Sequence, residues 1–272
     1  MSFNQGHALL IGVGTHKNHA KLDKLITVAD AEAVQTVLQN QNLCGYRPEQ
    51  VTLLKKNTAT KASILNALDN LSQLQPTDTL FLFFAGHGGL GTDGNYYLLT
   101  HDVQISERRV QPGTGISESE LLQKLNAIRA NRLFMVFNAC HSGHIAPETL
   151  ATDDDDLPET LNPGGHTANA LLGTGQGRIL IVASRPEQYS YVGKGETTIF
   201  TKALTNGLRG EAANNGGTIS AFGLYEYLYN EVNETVAQNF GKKQEPMLTV
   251  IQGVGPFPIA LYRGASTLSA FV

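Results

Sequence analysis

The chain has no tryptophan and only two cysteines, Cys44 and Cys140, among its 272 residues. A domain of this length buries enough surface to stand without disulfide staples, so each cysteine is there for packing or for chemistry. Long apolar runs are also missing. Stretches such as Ile179 to Ala183 fall far short of the ~20 residues that span a bilayer, and no membrane contact is expected. Basic excess is absent as well: 20 Lys and Arg stand against 24 Asp and Glu, and they are scattered, so nucleic acid is not an expected partner. Met1 to Ala20 carries no signal-peptide pattern, and a cytoplasmic, reduced protein is expected. Zinc is disfavoured, because Cys140, His141 and His144 crowd one tetrahedral site and no second pair has finger spacing. Gly12-x-Gly14 lacks the third glycine of a dinucleotide turn.

What is present is an alternation of short β-rich runs with amphipathic stretches, the pattern of βαβ units. Strands are predicted at Ala8–Val13, Val51–Leu54, Leu80–Phe84, Leu133–Phe137, Ile179–Ala183 and Met247–Ile251. A small hairpin is predicted around Tyr96–Leu99. Helices are predicted at Val28–Gln41, around Ile64–Leu71, and at Glu118–Ala130, Thr198–Leu208 and Ala221–Phe240. His144–Gly177 reads as a long active-site loop. One domain over residues 1–264 is expected, followed by a frayed tail at 265–272.

Two motifs stand out against this pattern. Phe83-Phe84-Ala85-Gly86-His87-Gly88-Gly89 follows one apolar run, and Asn138-Ala139-Cys140-His141-Ser142-Gly143 follows another, with the cysteine 53 positions after the histidine. The carboxyl ends of neighbouring parallel strands form the ligand crevice of an open sheet, so His87 and Cys140 can face one substrate there. A thiol is a weak nucleophile at neutral pH and needs a base within reach; His87 could supply it. Gly88 and Gly89 would let a substrate carbonyl approach the main chain. A lone Cys or a lone His would more often be structural; their joint placement favours catalysis.

At these residues the chain resembles the caspase-like cysteine peptidases, and among them the metacaspases and their bacterial relatives. The resemblance runs from Ala8 to about Ile259. It implies an α/β caspase-like three-layer sandwich, with a mostly parallel central sheet flanked by helices. It further implies endopeptidase activity on polypeptides through an acyl-enzyme, with His87 as general base and acid and Cys140 as nucleophile. The amides of Gly88 and Cys140 would form the oxyanion hole. A monomer without a required cofactor is expected.

The resemblance also implies cleavage after Arg or Lys by means of acids in the pocket, one of them two residues before the cysteine. Asn138 stands there instead. Asp30 matches the second acid, although Thr27-x-x-Asp30 also fits a helix capping box. Ser184 and Gln188, with Arg185 and Glu187, lie in a loop that family members use for substrate contacts. Two alternatives stay open: a catalytically silent interaction module, and a peptidase with non-basic specificity. Asp102 and Glu118 match two positions of a calcium-binding cluster found in some metacaspases, but Ser119 and Pro147 replace further acids. Such a set is too poor in oxygen ligands for a tight calcium site. His141 to Gly177 contains no Lys or Arg, so an enzyme specific for basic residues either works uncut or cuts itself elsewhere, with Arg178 the nearest candidate and Arg108 or Arg109 the others.

Overall fold

The computed structural model describes residues 3–140, 177–185, 188–214, 217–252 and 258–261. Its centre is a sheet built from β1 (Gly6–Gly12), β2 (Val51–Lys55), β3 (Thr79–Leu90), β8 (Arg132–Cys140), β9 (Arg178–Val182) and β11 (Met247–Gln252), in the order β11-β9-β8-β3-β1-β2. All neighbours are parallel except β11 with β9. Short pairs decorate the rim: β4 (Tyr96–Leu98) joins β3 and β7 (Ile116–Ser117), β5 (Ile105–Ser106) pairs β6 (Arg109–Val110), and β10 (Thr218–Ser220) pairs β12 (Pro258–Leu261).

The period-two geometry of a strand sorts the apolar runs into two cores. Leu10, Phe81, Phe83, Phe134, Val136, Ile179 and Ile181 face one side, where α1 (Leu25–Gln39), α4 (Ile199–Asn206) and α5 (Ala221–Phe240) bury residues such as Val34, Phe200, Leu224 and Val232. Leu9, Ile11, Leu80, Leu82, Phe84, Leu133, Met135, Leu180 and Val182 face the other, against Ile64 and Leu68 of α2 (Lys61–Asn70) and Leu121 and Leu125 of α3 (Glu118–Ala127). Burial on both faces explains why these strands are continuously apolar. The result is a three-layer α/β sandwich.

Three sequence expectations need correction. The third strand does not stop at Phe84. It runs on to Leu90, pairing β8 as far as His87 and then β4 from Gly88. Hydrophobicity marks where a strand is covered on both faces, not where its hydrogen bonding ends, and His87 therefore lies within the strand. Similarly, β8 extends three residues past Phe137. Second, α1 begins at Leu25 with Lys24 as N-cap, so the Thr27-x-x-Asp30 capping box does not form. The Thr27 hydroxyl donates to the Val13 carbonyl instead, at 2.9 Å. A β-carbon at Gly12 would lie 2.7 Å from the Thr27 carbonyl, so this glycine serves helix-on-strand packing.

The third concerns Arg178. Its guanidinium is buried and donates to the carbonyls of Leu125 (2.9 Å) and Ile128 (2.8 Å) at the end of α3. A residue tied down in this way does not offer its peptide bond to a protease in the folded state. Its cation sits against the carboxyl end of α3, where the helix dipole favours it, although burial pulls its pKa down. Arg178→Met should cost about 2–4 kcal/mol in urea unfolding with an unchanged m-value, because two buried carbonyls lose charged donors. Asp102 also acts locally, since its Oδ1 accepts from the Lys61 amide at the start of α2 (2.8 Å) and from the Thr100 hydroxyl (2.8 Å). Among the described residues no group of three or more His, Cys, Asp or Glu could hold a metal ion. Nor, among those residues, is any helix long and apolar enough to cross a membrane. Residues 144–176 of the expected loop and the tail from Ala265 lie outside the described residues.

Candidate active site

The parallel register of β3 with β8 places His87 opposite Cys140, and Ala85 opposite Asn138, at the carboxyl rim of the two central strands. The Cys140 side chain lies outside the described residues, as do His141 and His144. The His87 ring is half-buried, and its Nε2 stands 3.0 Å from the carbonyl oxygen of Leu22. A carbonyl can only accept, so Nε2 carries the proton of the neutral ring and Nδ1 is the basic nitrogen. Leu22 closes a one-turn 3-10 helix, Ala20–Leu22, in the connection after β1. No side-chain pattern announces a backbone carbonyl, so this contact has no sequence signature.

Gly88 is opposite Leu98 on β4. The Leu99 amide donates to the His87 carbonyl at 3.0 Å, which makes Gly88 and Leu98 a pair whose own main-chain groups point away from each other. The Gly88 N–H is therefore turned to the β8 side. A β-carbon on Gly88 would fall 1.4 Å from the Tyr96 hydroxyl oxygen and 2.2 Å from Cζ, so only glycine fits beside this ring. Gly88→Ala should displace Tyr96, with a measurable fall in thermal midpoint and loss of any activity that uses the 88 amide.

Asp30 and Asn138 meet in a sealed network. Asp30 is 0% exposed and Asn138 5%. Asp30 Oδ1 accepts from the Thr198 amide (2.9 Å); its Oδ2 accepts from the Thr198 hydroxyl (3.0 Å) and from Asn138 Nδ2 (3.0 Å). Asn138 Oδ1 in turn accepts from Ser190 Oγ at 2.9 Å. Burial raises the Asp30 pKa to about 6, against the opposing pull of these hydrogen bonds. All the donors are neutral, so the anion has no cation beside it in this network. Thr198 is also the N-cap of α4, accepting from the Thr201 amide. Sequence reasoning misses Thr198 and Ser190; the capping spacing Thr198-x-x-Thr201 is the one signal that points to the first.

The loop after β9 divides the remaining candidates. Ser184 is fully buried and donates to the Gln188 carbonyl at 3.2 Å, so it shapes the loop from inside and its side chain offers no surface. Gln188 is half-buried, donating to Glu245 Oε2 (2.9 Å) and accepting from the Glu245 amide (2.6 Å). Arg185 is exposed and pairs with the same carboxylate at 2.9 Å. Glu187 lies outside the described residues. Tyr189 and Val192, further along the same segment, are exposed. Arg108 sits far along the chain at the tip of the β5–β6 hairpin, where it and Glu107 take positive φ.

Comparison with known proteins agrees with this architecture. The caspase domain family profile matches residues 5–252. Metacaspase-1A of Aspergillus fumigatus is 31% identical over 180 residues, covering 61% of this chain and 42% of the relative. Metacaspase-1 of Candida glabrata is 29% identical over 169 residues, covering 58% and 40%. The chain thus spans about two fifths of the length of these curated relatives. In fold it is similar to the crystal structure of caspase-1 from Spodoptera frugiperda, with a TM-score of 0.62 at 16% identity over 96% of this chain and 93% of that one. With most of its length matched by the profile, the chain belongs to the caspase domain family.

Proposed function

We propose that the protein is a cysteine endopeptidase, acting as a monomer without a cofactor, with His87 as general base and acid and Cys140 as nucleophile. The observation that carries this reading is the register pairing of His87 with Cys140 at the sheet rim, together with the Leu22 carbonyl that leaves His87 Nδ1 basic. In the first step Nδ1 takes the thiol proton as sulfur attacks the scissile carbonyl. The amides of Gly88 and Cys140 hold the oxyanion. The imidazolium then protonates the leaving amine, giving a thioester, and His87 activates the water that hydrolyses it.

The residue before the scissile bond is proposed to be Arg, then Lys. Asp30 is a buried anion without a counter-cation in its network, next to Asn138 at the rim. A unit charge ~6 Å away is worth about 3 kcal/mol at an effective dielectric of ~20, or roughly 100-fold in kcat/KM. That suffices for preference even with an amide at 138. One observation favours a second reading: the Asp30 oxygens are already engaged by Thr198 and Asn138, which suits a neutral, hydrogen-bonding side chain such as Gln. A peptide panel varying only this residue separates them, with Cys140→Ala as blank. The expected order is Arg, Lys, then Gln, with little turnover for Asp. Turnover led by Asp would remove the role given to Asp30, and turnover equal to the blank would make the protein a silent interaction module.

A further inference from the structure

His16 belongs neither to the His87–Cys140 pair nor to the Asp30 network, yet its ring centroid lies 5.8 Å from that of His87. It is 3% exposed. Its main-chain N–H donates to Asp23 Oδ1 at 2.7 Å and its Nδ1 approaches the same oxygen at 3.4 Å. One carboxylate oxygen thus closes the segment from His16 to Asp23 into a loop. The remaining ring nitrogen, Nε2, is buried and has no partner among the described residues. A sealed imidazole nitrogen without a partner loses its hydration with no return, a loss that an apolar residue would avoid. Such departures from local consistency gather at functional sites.

Leu22, whose carbonyl holds His87, is the residue immediately before Asp23. The other restraints on this segment are the backbone bonds His19 N to His16 O (3.2 Å), Leu22 N to His19 O (2.8 Å), Asp23 N to Ala20 O (3.1 Å), Lys24 N to Gly14 O (3.1 Å) and Lys17 N to His101 O (2.7 Å), and the His19 ring, whose Nε2 accepts from the Ile105 amide at 3.0 Å. The Asp23 carboxylate is what ties the far end of the loop back to its start by a side chain. The groups facing His16 are Asp23, His19, His101 and His87. Burial lowers the His16 pKa more than Asp23 raises it, so the ring stays neutral and sets no cation beside His87.

We infer that His16 and Asp23 form a positioning pair for His87, holding the Leu22 carbonyl so that the catalytic imidazole keeps its proton on Nε2. The inference rests on the role proposed for His87, and its test must fail separately from that role. In Cys140→Ala protein with 15N-labelled histidine, long-range 1H–15N spectra report the His87 tautomer without any turnover. The Nε2–H form is expected alone in the parent, mixed with Nδ1–H after Asp23→Ala, and restored by Asp23→Asn, which keeps the acceptor oxygen. His16→Phe, which fills the buried space without the Nδ1 contact, should shift the mixture the same way. On the active background, Asp23→Ala should lower kcat 10- to 100-fold with KM within about twofold, and should move the acid limb of the kcat/KM profile. A tautomer unchanged in Asp23→Ala, with only a lower thermal midpoint, would overturn the inference. A tautomer that responds in a protein without peptidase activity would sustain the pair and remove the proposed function instead.

Discussion

Replacing His87 by alanine should lower kcat/KM for peptide hydrolysis by about 10²–10⁴-fold, the range a general base supplies, while the urea midpoint moves little. The ring is half-buried at the sheet rim, and β3 is held there by main-chain pairing with β8 and β4 that the substitution leaves intact. His87→Gln refines the test. Glutamine can still donate to the Leu22 carbonyl but cannot accept a thiol proton at neutral pH, so orientation would survive and chemistry would not. Both variants should therefore be equally slow. A glutamine variant with near-parental turnover would falsify the assignment of His87 as base and point to another group activating Cys140.

The second large effect concerns stability. Asp30→Ala should cost roughly 2–4 kcal/mol at pH 7, since the Thr198 amide, the Thr198 hydroxyl and the Asn138 amide group all lose a buried acceptor at once. The pH dependence gives an independent signature. The folded-state pKa of Asp30, about 6, lies above its reference value of 3.8. The folded protein therefore binds this proton more tightly than the unfolded chain does. Its contribution is fully present below pH ~3.8 and is lost as pH rises through about 6, a change of up to about 3 kcal/mol. Subtracting the unfolding free energies of Asp30→Asn from those of the parent at pH 4, 5, 6 and 7 isolates the effect. The difference should fall with rising pH and level off near 7; a flat difference would mean that Asp30 ionises as an exposed acid does.

The frame of the molecule was legible because strands buried on both faces must be apolar throughout. The runs at Leu80–Phe84 and Leu133–Phe137 located β3 and β8, and with them the two residues at their rim. The boundaries were less visible, since β3 continues through three glycines that carry no hydrophobic signal. The site was legible only in its side chains. Leu22 acts through a carbonyl that every residue possesses, so nothing in its identity could announce it. Asp30 meets Thr198 across 168 positions, and local spacing instead suggested a capping box with Thr27. Arg178 looked like a cleavable basic residue because sequence shows charge and not burial. Its partners, Leu125 and Ile128, are again backbone oxygens.

The anchoring of Arg178 bears on what a nick would do to this molecule. β9 lies between β8 and β11, and its first residue is bolted to the end of α3, on the amino-terminal side of the sequence. A chain severed between Cys140 and Arg178 would become two fragments that still interlock: the second would keep β9 hydrogen-bonded along β8 at the edge of the first fragment's sheet, and its helices α4 and α5 seated with α1 over Phe134 and Val136. Gel filtration of such a nicked sample should give one peak at the mass of the intact protein, and only denaturant should part the halves.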